Sequence, residues 1–147
     1  MVWSGMTMNG SGPICRIHGI MDQHVYVDIL SRYLIPYANE KLPDDWIFQA
    51  DNDLKHTSRK AKQFLEQHHI NVMQWPAQSL DLNPIEHLWN YVKNEIEVKK
   101  PSNLNDLYNV IEETWKKIPI DRCIHLINSM PRRCSEVIKN KGGATRY

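Results

Sequence analysis

The apolar run Trp46-Ile47-Phe48 passes directly into Gln49-Ala50-Asp51-Asn52-Asp53, and further on Asn83-Pro84-Ile85-Glu86 opens a helical pattern. The first block reads as a buried strand that ends in an acid. The second reads as the first turn of an amphipathic helix that carries an acid. This pair constrains the fold more than anything else in the chain. A strand end facing a helix start is where an α/β domain can gather carboxylates around a divalent cation. Thirty-four residues lie between Asp51 and Glu86.

The surrounding pattern supplies the elements. Met1 to Met8 reads as a strand, Asn9-Gly10-Ser11-Gly12 as a turn, and Pro13 to His18 as the returning strand of a hairpin. Asp22 suits the N-cap of a helix with Val25, Tyr26, Ile29, Leu30, Tyr33 and Leu34 on one side. Pro36 is expected to end that helix. After a loop over 39–45, Trp46 to Ala50 is expected to form a central buried strand. Thr57 or Ser58 then caps a helix with apolar positions Ala61, Phe64, Leu65 and His68. Asn71 to Trp75 reads as a short strand and Pro76 to Leu82 as a loop. Asn83 and Pro84 suit N-cap and N1 of the next helix, whose stripe is Ile85, Leu88, Trp89, Val92 and Ile96. A second amphipathic pattern runs through Leu104, Leu107, Ile111, Trp115 and Ile118 until Pro119 breaks it. Ile120 to Ile138 is helical again, interrupted near Met130-Pro131. A mixed sheet flanked by helices is the natural way to bury these faces.

Composition sets the bounds. The 147 residues are the usual size of one domain, 41% hydrophobic and 24% charged, as in ordinary soluble chains. No apolar run approaches the ~18 residues of a membrane span, so no membrane partner is expected. No signal peptide is visible at the N-terminus. The formal net charge of +1 neither demands nor excludes nucleic acid. Near the C-terminus, Arg132, Arg133, Lys139, Lys141 and Arg146 face a single acid, Glu136. Such a stretch can touch phosphate or simply be solvated. Cys15, Cys123 and Cys134 are odd in number and lack C-x-x-C spacing, which argues against a disulfide framework or zinc ribbon. All three are expected to be buried or inert.

The two acids carry candidate chemistry. Phosphodiester cleavage needs an activated nucleophile and a stabilised leaving oxygen, and two divalent cations can supply both. Each acid also has a purely structural alternative. Asp51 suits an Asx turn with Asn52 and Asp53. Glu86 suits a variant capping box with Asn83. Lys55 and His56, close behind Asp51, are candidates to approach a phosphate or to orient a neighbouring carboxylate, or are solvated loop residues. His68-His69 looks like a metal pair, but adjacent helical residues do not share a face, so a structural or surface role is expected. The five tryptophans fall mostly at core positions.

These blocks together resemble the mariner-type (Tc family) DDE transposases. The resemblance runs from Val2-Trp3-Ser4-Gly5 and Gly12-Pro13-Ile14 through Tyr26-Val27-Asp28-Ile29-Leu30. It continues with Phe48-Gln49-Ala50-Asp51-Asn52-Asp53, Lys55-His56-Thr57-Ser58, Trp75-Pro76-Ala77-Gln78-Ser79 and Leu80 to Trp89. Ser129-Met130-Pro131-Arg132-Arg133-Cys134 and Lys141-Gly142-Gly143 complete it. It implies an RNase H-like mixed sheet flanked by helices. Asp51 and Glu86 then stand for the second and third metal-binding acids, with Mg²⁺ or Mn²⁺ as cofactor. The implied activity is DNA cleavage and strand transfer during transposition. The implied partners are DNA and further copies of the chain, and the implied compartment is the nucleus. Lys55, His56, Arg132 and Arg133 are the candidate nucleic-acid contacts.

Departures from the family pattern go with the resemblance. Its first acid lies on a strand upstream of the hairpin, so residues 1–147 are expected to be an N-terminally truncated catalytic domain without the helix-turn-helix segments. Ala50 stands where the family often has Gln, and Leu54 and Leu80 replace frequent prolines. The alternative to an enzyme is a catalytically inert transposase-derived remnant that only binds nucleic acid or a protein partner.

Overall fold

A computed structural model describes residues 1–75 and 82–140. The chain runs β1 (Val2–Thr7), β2 (Gly10–Arg16), α1 (Gln23–Ile29), a π-helical turn (Leu30–Leu34), α2 (Ile35–Lys41), β3 (Ile47–Phe48), α3 (Arg59–Gln67) and β4 (Asn71–Val72). Then come α4 (Ile85–Lys99), α5 (Leu104–Lys116), α6 (Ile120–Asn128) and α7 (Met130–Lys139). It divides into two compact units. The first comprises Met1–Ser4 and Cys15–Gln78, the second Gly5–Ile14 and Ser79–Tyr147.

The first unit is built around α1 and α3. Asp22 caps α1 as its sequence position suggests, accepting from the backbone N–H of His24 and Val25 at 2.8 and 2.9 Å. Ser58 does the same for α3 through Ala61 N–H. Tyr26, Leu30, Leu34, Ala61 and Leu65 form the core, with Trp46, Phe48 and Ile70 packed against it. Pro36 does not end the helix, contrary to the sequence reading. Ile35 N–H reaches back five residues to Leu30 O, and Pro36 falls in the first turn of α2. A wider turn just before a proline makes room for a ring that would otherwise strike the carbonyl four residues earlier, and the helix carries on.

The expected buried strand over Trp46–Ala50 is corrected too. Only Ile47 and Phe48 are in strand, paired in parallel with Asn71 and Val72. Side chains alternate across a strand. Trp46 and Phe48 therefore join the helical core, edge to face at 6.2 Å, while Ile47 turns away and is 53% exposed. The expected strand over Asn71–Trp75 likewise shrinks to two residues. At the end of α3, His69 adopts a left-handed backbone (φ 54°), and Ile70 N–H bonds Leu65 O at 2.9 Å. That is a helix stop of the Schellman kind. The His68 ring packs on Phe64 instead.

The second unit is a helical assembly. Leu88 and Val92 of α4 meet Trp115, Ile118, Cys123 and Leu126 in one core. Trp115 is fully buried, stacks on Trp89 at 4.7 Å, and donates its indole N–H to Gly12 O at 3.0 Å. A buried indole N–H needs such a partner. Gly12 itself is obligatory, because a Cβ there would lie 2.9 Å from Gly5 O across the hairpin. Cys15 and Cys123 are buried, but Cys134 is exposed, so the expectation for the three thiols holds for two by burial. The calls that fall over 76–81 and 141–147, including Leu80, Lys141 and Arg146, lie outside the described residues.

Candidate active site

Asp51 leaves β3 through Gln49 and Ala50 and sits at the mouth of a loop, its side chain 52% exposed. Its Oδ1 accepts from Asp53 N–H at 3.1 Å, which is the Asx turn. The same oxygen meets His56 Nδ1 at 2.5 Å. A carboxylate only accepts, so the ring proton of His56 lies on Nδ1. No second bond engages Asp51 Oδ2 among the described residues.

Each neighbour in the block has its own tie. Asp53 accepts from the backbone and ammonium of Lys55, and that bond holds its carboxyl below the usual range. Lys55 is thus occupied with Asp53. Asn52 donates from its side chain to Trp75 O at 3.0 Å, joining the Asp51 loop to the segment after β4. His56 is largely buried, 16% exposed, with its ring 4.3 Å from that of Tyr26. Tyr26 is 1% exposed, and its hydroxyl is pushed above the usual range by burial first and by the charges of Asp51 and Asp53 second. His56 Nε2 is buried without a partner. An open cavity of about 540 Å³ borders these residues, lined by Tyr26, Phe48, Asp51, His56, Met73 and Trp75 among others.

Glu86 lies in the other unit, in the first turn of α4. The helix begins one residue later than the sequence suggests, with Pro84 as N-cap and no side-chain cap. The capping-box alternative for Glu86 therefore does not form. Pro84 has no N–H for the carboxylate to bond. His87, beside it, accepts at Nε2 from Arg133 Nη1 at 2.7 Å. Burial, then the Arg133 charge, lowers the His87 pKa from its usual value. Arg133 is 3% exposed and also donates from Nε to Ser129 Oγ at 2.8 Å. It is thus an internal strut between α4 and α7, where the sequence suggested a phosphate contact. Arg132 is on the surface.

Sequence reasoning missed the Tyr26–His56 stack and the His87–Arg133 bond. Tyr26 looked like one more residue of an apolar stripe, and His87 and Arg133 are too far apart in the chain for any spacing rule. Among the described residues, no group of three or more His, Cys, Asp or Glu side chains is gathered to hold a metal ion.

The fold and these blocks define a class. Residues 1–108 match the DDE superfamily endonuclease family. The chain belongs to that family, and it is similar in sequence to mariner-type (Tc) transposases. It is 42% identical over 147 residues to the Tcb1 transposase of Caenorhabditis briggsae and 41% identical to the Tc1 transposase of Caenorhabditis elegans. Each alignment takes in 100% of this chain and 54% of the relative, so the chain spans about half the length of those curated relatives. Among solved structures, the Mos1 transposase catalytic domain with Raltegravir and Mg matches at a TM-score of 0.90 and 18% identity. That match covers 99% of this chain and 76% of that one. The Mos1 strand transfer complex matches at 0.86, over 43% of its chain. The fold is thus RNase H-like, as the sequence resemblance implied.

Proposed function

We propose that this chain carries part of the catalytic machinery of a DDE transposase, cleaving DNA and transferring strands with the help of divalent cations. By the family resemblance, Asp51 and Glu86 are each candidate ligands. The observation that carries the reading is the state of Asp51. One oxygen is bound by its own loop, and the other has no partner among the described residues at the mouth of a cavity. A single hard oxygen from a carboxylate suits Mg²⁺ or Mn²⁺, since Mg²⁺ keeps several waters and needs few protein ligands. The bound cations would activate the attacking hydroxyl and neutralise charge on the leaving oxygen.

The relatives support the metal and partner assignments. Mos1 catalytic-domain structures contain Mg or Mn, and other Mos1 structures are a strand transfer complex and paired-end complexes. On this reading the partners are transposon-end and target DNA and further copies of the chain, and the compartment is the nucleus. His56 and exposed Arg132 remain the candidate nucleic-acid contacts of the original four. Lys55 is tied to Asp53 and Arg133 is buried.

The test is thermal melting of the chain with and without millimolar Mn²⁺. A ligand that binds only the folded state raises its melting temperature by mass action. Wild type should be stabilised, and Asp51→Asn should not respond. An unchanged response in the mutant removes Asp51 from the metal site. Among the described residues no three ligating side chains are gathered, so the 147-residue chain alone should not nick DNA. Metal-dependent nicking that Glu86→Gln abolishes would overturn that expectation.

A further inference from the structure

We propose that His56 is a positioning residue that sets the orientation of Asp51 toward a divalent cation. The inference rests on the metal-binding reading of Asp51 above and goes beyond it by naming what holds the ligand. Asp51 lies in a loop with no regular structure on its C-terminal side, and half of its side chain is open to solvent. An unrestrained carboxylate there would rotate, and ordering it on metal binding costs conformational entropy. His56 removes that freedom in advance. Its Nδ1–H and the Asp53 N–H converge on Oδ1 alone, which leaves Oδ2 for a cation.

The ring is fixed in turn. It packs against Tyr26, which belongs to α1 and is itself buried among the helices of the first unit. The capping bond of Asp22 starts that helix four residues before Tyr26. A continuous line of contacts therefore runs from a helix cap through two rings to one carboxylate oxygen. The solitary Nε2 fits this assignment. With the proton on Nδ1, Nε2 bears only a lone pair, so the burial leaves no N–H without an acceptor. Partners that orient a ligating group are commonly worth 10–100-fold in metal affinity.

Two substitutions separate orientation from packing. His56→Phe keeps a ring against Tyr26 and deletes the donor. His56→Asn deletes the ring and keeps an N–H near the place of Nδ1. Mn²⁺ affinity of the whole chain, without DNA, is measured by calorimetry or by proton relaxation of bound water. His56→Phe should weaken binding roughly tenfold or more, and His56→Asn should stay within about threefold of wild type. If His56→Phe binds Mn²⁺ as wild type does while Asp51→Asn does not, the role of His56 is overturned and the metal reading stands. If Asp51→Asn also binds unchanged, the metal reading itself fails and takes this role with it. A measurement on the unmutated chain guards against a variant that does not fold. Histidine-labelled ¹⁵N NMR should find the His56 proton on Nδ1, with its ring signals moving on addition of Mg²⁺. A proton on Nε2, or ring signals indifferent to Mg²⁺, would overturn the proposal.

Discussion

Asp51 and Glu86 are both acids at the edge of a structural element, yet the two regions hold them by different means. Asp51 lies in a loop, and its carboxylate is fixed by local contacts: a histidine on one oxygen, a backbone N–H on the same oxygen, and an aromatic stack behind. Glu86 lies on a helix that has no side-chain cap at all. Its backbone is fixed by what the next turns bury, Leu88 at 0% and Val92 at 1% exposure, and by the bond between His87 and Arg133. A loop carboxylate needs a dedicated scaffold of polar contacts. A helix carboxylate inherits its position from the core. The first arrangement is local and fragile to single polar changes, whereas the second spreads over a whole helical unit.

The comparison can be broken most forcefully at the core of the second unit. Trp115→Ala removes a fully buried indole together with its bond to Gly12 O. It should cost about 3–5 kcal/mol in urea unfolding. A loss below about 1 kcal/mol would show that packing does not hold the α4 region. Arg133→Ala should cost less, about 1–3 kcal/mol, because it leaves Ser129 Oγ and His87 Nε2 without their donor. His87→Gln paired with it in a double-mutant cycle isolates the part that belongs to the bond.

A third effect is set by pH. The folded-state pKa of His87 lies below its usual value, so the unfolded chain takes up the proton first as pH falls. The contribution of His87 to stability is complete above about 6.5, the ordinary value for histidine, and is lost as pH falls through the lowered folded value. Unfolding at pH 7.5 and pH 5.5 should show a drop in wild type that His87→Gln reduces. Equal slopes in the two proteins would sink the assignment. The smallest effects sharpen the contrast between capped and uncapped helices. Ser58→Ala should cost α3 about 1 kcal/mol. Asn83→Ala should stay within about 0.5 kcal/mol, because no side-chain cap exists there to lose.

What the sequence reveals follows the same division. The hairpin, the caps at Asp22 and Ser58, the stripe of α4 and the break at Pro119 were all legible, because each is a local signal with a local cause. The strand before Asp51 was read as longer and more deeply buried than it is. A run of apolar residues does not reveal that alternation will turn Ile47 outward. Asp51 and Glu86 stood out by their flanks. The ties that fix them did not, since Tyr26–His56 and His87–Arg133 join residues 30 and 46 positions apart. Arg133 shows the cost of reading charge alone: a basic cluster suggested phosphate, and one of its members is a buried strut.

The π-helical turn at Leu30–Leu34 has a consequence in phase. Tyr26, Leu30, Leu34 and Ala38 recur at intervals of four and are all buried. In an ordinary α-helix of 3.6 residues per turn, a strict interval of four drifts about 40° per step around the axis. Three such steps would carry Ala38 far from the face that Tyr26 occupies. The wide turn underwinds the helix at the midpoint and takes up the excess, so that a four-residue rhythm stays on one side. The wide turn thus accommodates one more residue than a regular helix of the same phase would hold. Deleting one residue between Leu30 and Leu34 would restore regular winding and leave α2 within about 20° of the face of Tyr26, the residue against which the His56 ring rests.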